Sequence, residues 1–83
     1  MMTFQRIASY VSAEPFRPFR IRMASGQAFE IRHPEMVSVG RTTVHIYTHM
    51  VEDSNSKQQE HEVSMLLIES VEPLGAAVAR NDQ

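Results

Sequence analysis

Cysteine and tryptophan are absent from this 83-residue chain. Without cysteine, no disulfide can staple a small fold and no thiolate can hold zinc or an iron–sulfur cluster. Glycine is scarce, with three residues, and none sits in a Gly-rich phosphate-cradling loop. No Ser/His/Asp order suggests a nucleophilic triad. No apolar run reaches the roughly 18 residues of a membrane helix, so no membrane span is expected. The opening stretch, MMTFQRIASYV, lacks the basic start and long apolar segment of a signal peptide. The expectation is therefore a cytoplasmic, bacterial-type protein.

Charge of either sign is also lacking in bulk: the formal net charge is −2. That argues against a broadly cationic nucleic-acid binder. The distribution is uneven, however. Residues 1–50 carry net +3 and residues 51–83 net −5. A basic and an acidic face, or head-to-tail self-association, would both follow from such an asymmetry. A chain this short makes one small domain, and some such chains need a second copy to bury enough surface.

The best-defined stretch is Pro15 to Arg32, PFRPFRIRMASGQAFEIR. A three-residue loop, Ala24-Ser25-Gly26, pairs Met23 with Gln27, Ile21 with Phe29 and Phe19 with Ile31. Arg20 then lies opposite Glu30. All large apolar side chains fall on one face, and opposite charges meet on the other. A two-residue loop would set Arg22 against Phe29 and scramble the faces, because side chains alternate along a strand. Gly26 falls where such loops require a left-handed residue. Pro15 and Pro18 lack N–H donors, so the strand starts near Phe19. Phe16 and Phe19 read as core anchors.

Before the hairpin, residues 3–13 predict a short helix. Phe4, Ile7, Ala8 and Val11 share one apolar face. Thr3 is the expected N-cap, with Met2 and Ile7 as a hydrophobic staple. After the hairpin, apolar residues resume at Met36, Val37 and Val39, which predicts one long strand over 27–39 bent at His33-Pro34-Glu35. Residues 42–50 form a third strand with Val44, Ile46, Thr48 and Met50 on the core face. Residues 51–62 are polar and without apolar period. They predict a long, mobile hairpin loop or an extended strand tip. The apolar run 63–71 predicts a strand buried on both sides, Met65 and Leu67 pointing one way and Leu66 and Ile68 the other. Residues 71–74 close as a short last strand, and 75–83 read as a flexible tail. The expected fold is mainly β: a short N-terminal helix and a five-stranded, bent antiparallel small barrel in a single domain, 1–74.

This order resembles the Sm-like, SH3-type barrels, and among them the bacterial Hfq-type proteins. FRIRMASGQ is similar to the first Sm strand and its turn, and Leu67-Ile68-Glu69-Ser70-Val71-Glu72-Pro73 resembles the Hfq ending Ala-Ile-Ser-Thr-Val-Val-Pro. The resemblance implies assembly of several copies through strand edges. It does not carry over the family's RNA site, because Ser64-Met65-Leu66 stands where Hfq has Tyr-Lys-His. The chain also resembles a set of uncharacterised bacterial proteins with a PF-x-PF-x-I…G…F-x-V-x-HPE pattern. Here that pattern is Pro15-Phe16-Arg17-Pro18-Phe19-Arg20-Ile21, then Gly26, Phe29, Ile31 and His33-Pro34-Glu35.

Chemistry-bearing residues are few. His45 and His49, four apart on a strand, lie on one face but ~13 Å apart at ~3.3 Å per residue, too far for a shared metal. His33 and Glu35 could form an acid–base pair, although the intervening Pro34 accounts for that triplet as a turn. No cofactor, metal site or catalytic residue is expected. The arginines are the stronger lead: Arg20, Arg22 and Arg32 share the outward hairpin face, with Arg17 at its entry and Tyr47 and His45 expected on a nearby outward face. Arginine with an aromatic suits phosphate and bases, but Glu30 sits among them. The reading is a non-enzymatic binding and assembly module. It is expected to be a homo-oligomer joined through Met65, Leu66, Leu67 and Ile68, with a possible protein partner. Weak RNA or single-stranded nucleic-acid binding is the alternative.

Overall fold

The computed structural model describes residues 2–52 and 55–75. The element order is α1 (Phe4–Val11), β1 (Phe19–Met23), β2 (Ala28–Ile31), a 3-10 turn (Pro34–Met36), β3 (Val37–Val39), β4 (Thr43–Glu52), β5 (Asn55–Ser64), a second 3-10 turn (Met65–Leu67) and β6 (Ile68–Pro73). The protein is mainly β with one short N-terminal helix. The expected five-stranded barrel is not formed. Six strands make two three-stranded antiparallel sheets, β2-β1-β6 and β3-β4-β5, and among the described residues the sheets do not close on each other.

The hairpin register is as its alternation requires. Phe19 pairs with Ile31, Arg20 with Glu30 and Ile21 with Phe29. The loop is closed by the Met23 N–H donating to the Gln27 carbonyl at 2.8 Å and the Gly26 N–H to the Met23 carbonyl at 2.9 Å. Gly26 has φ 98°, a conformation that L side chains rarely adopt.

The helix is shorter than 3–13. Thr3 is extended and its Oγ1 accepts the Arg6 N–H at 3.3 Å, as an N-cap should. At the other end the Ser12 hydroxyl and N–H both donate to the Ala8 carbonyl, and Pro15 follows. Ile7 is fully buried, whereas Phe4 is exposed rather than part of the buried face. Tyr10 takes its place, with its ring 5.3 Å from that of Phe19.

The strand expected over 27–39 is two strands in different sheets. The Pro34–Met36 turn separates β2 from β3, because Pro34 cannot donate to a ladder and its fixed φ suits a helical turn. The polar stretch 51–62 is the extended strand tip and not a mobile loop over its described part. β4 and β5 pair without interruption from Thr43↔Ser64 to Glu52↔Asn55, and residues 53–54 lie outside the described residues. The strand expected over 63–71 is broken. Ser64 accepts the Leu66 N–H on its hydroxyl and caps the second 3-10 turn, after which β6 runs through the stretch assigned to a separate last strand. The proposed tail beyond Gly75 lies outside the described residues.

The two sheets and α1 share one core. Ile7, Phe19, Ile21, Ile31, Val44 and Ile46 are fully buried, with Met23, Phe29, Val37, Met65 and Ile68 nearly so. Phe16 packs at its margin. No helix among the described residues is long and apolar enough to cross a membrane.

Candidate interaction surfaces

Alternation places Arg20, Arg22 and Glu30 on the outer face of the β2-β1-β6 sheet, because Phe19, Ile21 and Met23 face inward. β6 adds Ser70 and Glu72 to that face, opposite Arg22 and Arg20. The result is an ion-pair chain. Arg32 Nη2 lies 2.8 Å from Glu30 Oε1, and Arg20 Nη2 lies 3.2 Å from Glu30 Oε2. Arg20 Nη1 is 3.5 Å from Glu72 Oε1, and Arg22 Nε is 3.3 Å from Glu72 Oε2. Hydrogen bonds from Arg20 and then Arg32 hold the Glu30 carboxyl below its usual 4.5. Glu72 is likewise lowered, first by Arg22 and then by the Ser70 hydroxyl. Glu30 is exposed and Glu72 only half-buried, so water screens each pair and each contributes little to stability.

Arg17 and Tyr47 do not join this group. Arg17 is exposed beside the strand and lines an open hollow of about 440 Å³ with Tyr10, Pro15, Pro18, Phe19 and Pro73. It has no ion pair among the described residues. Tyr47 is on β4, opposite Glu60, on the outer face of the other sheet. Its neighbours there are acidic: His45 Nδ1 is 2.7 Å from Glu60 Oε2, and His45 Nε2 is 3.8 Å from Glu62 Oε2. The two carboxylates approach opposite nitrogens of one ring, so these groups diverge instead of converging on a point. Among the described residues no group of three or more such side chains could hold a metal ion. His61 is on the core side, its ring 5.1 Å from Phe29 and its Nε2 3.3 Å from the Thr48 hydroxyl. His33 and Glu35 are both exposed at the first 3-10 turn.

The segment Met65–Ile68 behaves differently from a strand. Met65, which opens the 3-10 turn, and Ile68, which follows it, are buried, while Leu66 and Leu67 are 73% and 57% exposed. Residues three apart eclipse in 3-10 geometry, which accounts for the inward pair. The outward leucines are flanked by two shallow hollows. Met2, Phe4 and Thr42 line one beside Leu66; Met23, Gln27 and Val63 line the other beside Leu67. Backbone bonds hold the turn in place: the Met65 N–H donates to the Thr42 carbonyl and the Ala24 N–H to the Leu67 carbonyl, each at 2.8 Å.

Sequence reasoning missed Glu72 and Ser70 as partners of the arginines. The signal was present as the alternating Ser70, Glu72 of the last strand, but it could be read only once β6 was known to pair with β1. Comparison with protein-family models, curated proteins and solved structures finds no match to this chain.

Proposed function

We propose that the chain is a binding and assembly module that self-associates and presents Leu66 and Leu67 to a protein surface. The observation that carries this reading is the pair of outward leucines on a turn fixed by two backbone hydrogen bonds. Adjacent exposed leucines on an ordered framework, flanked by apolar hollows, favour burial against a partner. At about 25 cal/mol per Å² of apolar surface, covering both side chains stabilises a contact by a few kcal/mol. The resemblance of the sequence to Sm-like proteins, in a short helix followed by antiparallel strands, also favours assembly.

Nucleic acid is the less favoured ligand. The outer face that carries Arg20, Arg22 and Arg32 spends much of its positive charge on Glu30 and Glu72. Light scattering over a range of concentrations tests the reading. The mass is expected to rise above the 9.5 kDa of one chain, and Leu66→Ser with Leu67→Ser is expected to remove one association step. A single mass, unchanged by concentration and the same in the double variant, would overturn it.

A further inference from the structure

Self-association has a second surface in this fold, and it rests on the assembly reading above. Each sheet has two outer strands, and three of the four are short or interrupted. β2 has four residues and is soon followed by Pro34, and β3 has three. β6 ends at Pro73 and shifts register against β1 near Met23. Short edges, prolines, irregular register and charged side chains are the usual protections against edge-to-edge pairing. β5 has none of the first three. It is ten residues long, contains no proline, and pairs with β4 in unbroken register. It does carry Lys57, Glu60 and Glu62, so only a register that keeps like charges apart can pair. Among the described residues no strand pairs with its second edge. We infer that β5 pairs antiparallel with β5 of a second copy, joining two three-stranded sheets into one.

The register follows from symmetry and charge. A two-fold axis that joins antiparallel edges stands perpendicular to the sheet, so the same face of each copy lies on the same side. Facing residues must therefore come from one face of β5. Lys57, Gln59, His61 and Val63 form the core-side set, being opposite Met50, Thr48, Ile46 and Val44, and Gln58, Glu60 and Glu62 form the outer set. An axis at Glu60 sets that carboxylate against its own copy. An axis at His61 sets Glu60 against Glu62 twice. Like charges directly opposite destabilise a strand pair. An axis at Gln59 avoids both clashes: Gln59 faces Gln59, Gln58 faces Glu60, and Lys57 faces His61. It also overlaps residues 55–63, against 55–61 for an axis at Gln58. The pairing is therefore centred on Gln59.

Charge reversal at the axis tests this in the full chain. Gln59 is exposed, so substitutions there leave the core untouched. Gln59→Glu alone and Gln59→Lys alone should each weaken the pairing about 1.5- to 5-fold, and an equimolar mixture should restore it as a mixed dimer. Sedimentation velocity reads both, with circular dichroism as the check on folding. The chain has no cysteine, so Gln59→Cys supplies a single thiol. On oxidation it should link two copies well ahead of Gln58→Cys or Glu60→Cys, because only at the axis do the two Cα atoms come within about 7 Å. Equal crosslinking at all three positions, or a mixture no tighter than its components, would overturn the β5 pairing. If wild-type association nevertheless persists and still needs Leu66 and Leu67, the assembly reading stands without this edge. A wild-type chain that stays monomeric throughout removes both.

Discussion

Glu30 accepts from Arg20 on one carboxylate oxygen and from Arg32 on the other. Both bonds stabilise the charged form, which is why its folded pKa lies below 4.5. A lowered carboxyl contributes stability that is fully present above its unfolded value and is lost as the pH falls through the folded one. The window for Glu30 therefore opens just below its ordinary 4.5 and extends downward. Glu30→Gln should leave the urea midpoint almost unchanged in that acidic window and lower it slightly at neutral pH. The difference between the two pH values is the measurement. An equal drop at both would mean that packing, not charge, is the contribution of Glu30.

The β1–β2 hairpin is an element whose details are legible in the chain itself. Strict alternation from Phe19 to Met23 and from Phe29 to Ile31, with Gly26 in the turn, admits one register that buries the apolar set. Gly26→Ala probes this directly. Nothing lies within 4 Å of an added Cβ, so no clash arises and the effect is that of φ 98° alone. A loss of about 1–2 kcal/mol in urea-unfolding free energy is expected, with Gly26→Asn losing less. Other elements were harder to read. β5 is polar on both faces because the β4–β5 ribbon runs beyond β3, which pairs with β4 only at residues 44–46. A ribbon with no core beneath it has no apolar period to betray it. The run Val63–Val71 misled in the opposite sense. Its continuous apolar character suits a doubly buried strand, yet Ser64 caps a turn that sends two of its leucines outward. The candidate site was legible in the same uneven way. Arg20 and Glu30 follow from the local register, whereas Glu72, 42 positions from Glu30, depends on which strand flanks β1.

For the whole molecule, the question is which faces carry usable charge. On the β2-β1-β6 sheet the arginines outnumber the carboxylates only slightly, and every arginine on that face has an ionic contact. On the β3-β4-β5 sheet Tyr47 has Glu60 opposite and Glu62 nearby. A single-stranded oligonucleotide should accordingly bind poorly even at low salt, while Glu30→Gln with Glu72→Gln should strengthen binding and steepen its dependence on salt. A salt-titrated anisotropy experiment decides this. Tight wild-type binding abolished by Arg20→Glu and Arg22→Glu would favour the nucleic-acid alternative. The second 3-10 turn also has a consequence at this scale. Met65 is bonded to Thr42, at the root of one sheet, and Leu67 to Ala24, at the end of a strand of the other. A few residues of chain thus act as a rivet through both layers. One layer cannot slide or peel from the other without shearing that rivet and pulling Met65 and Ile68 from the core, so thermal unfolding followed by circular dichroism is expected to show both sheets lost in one transition.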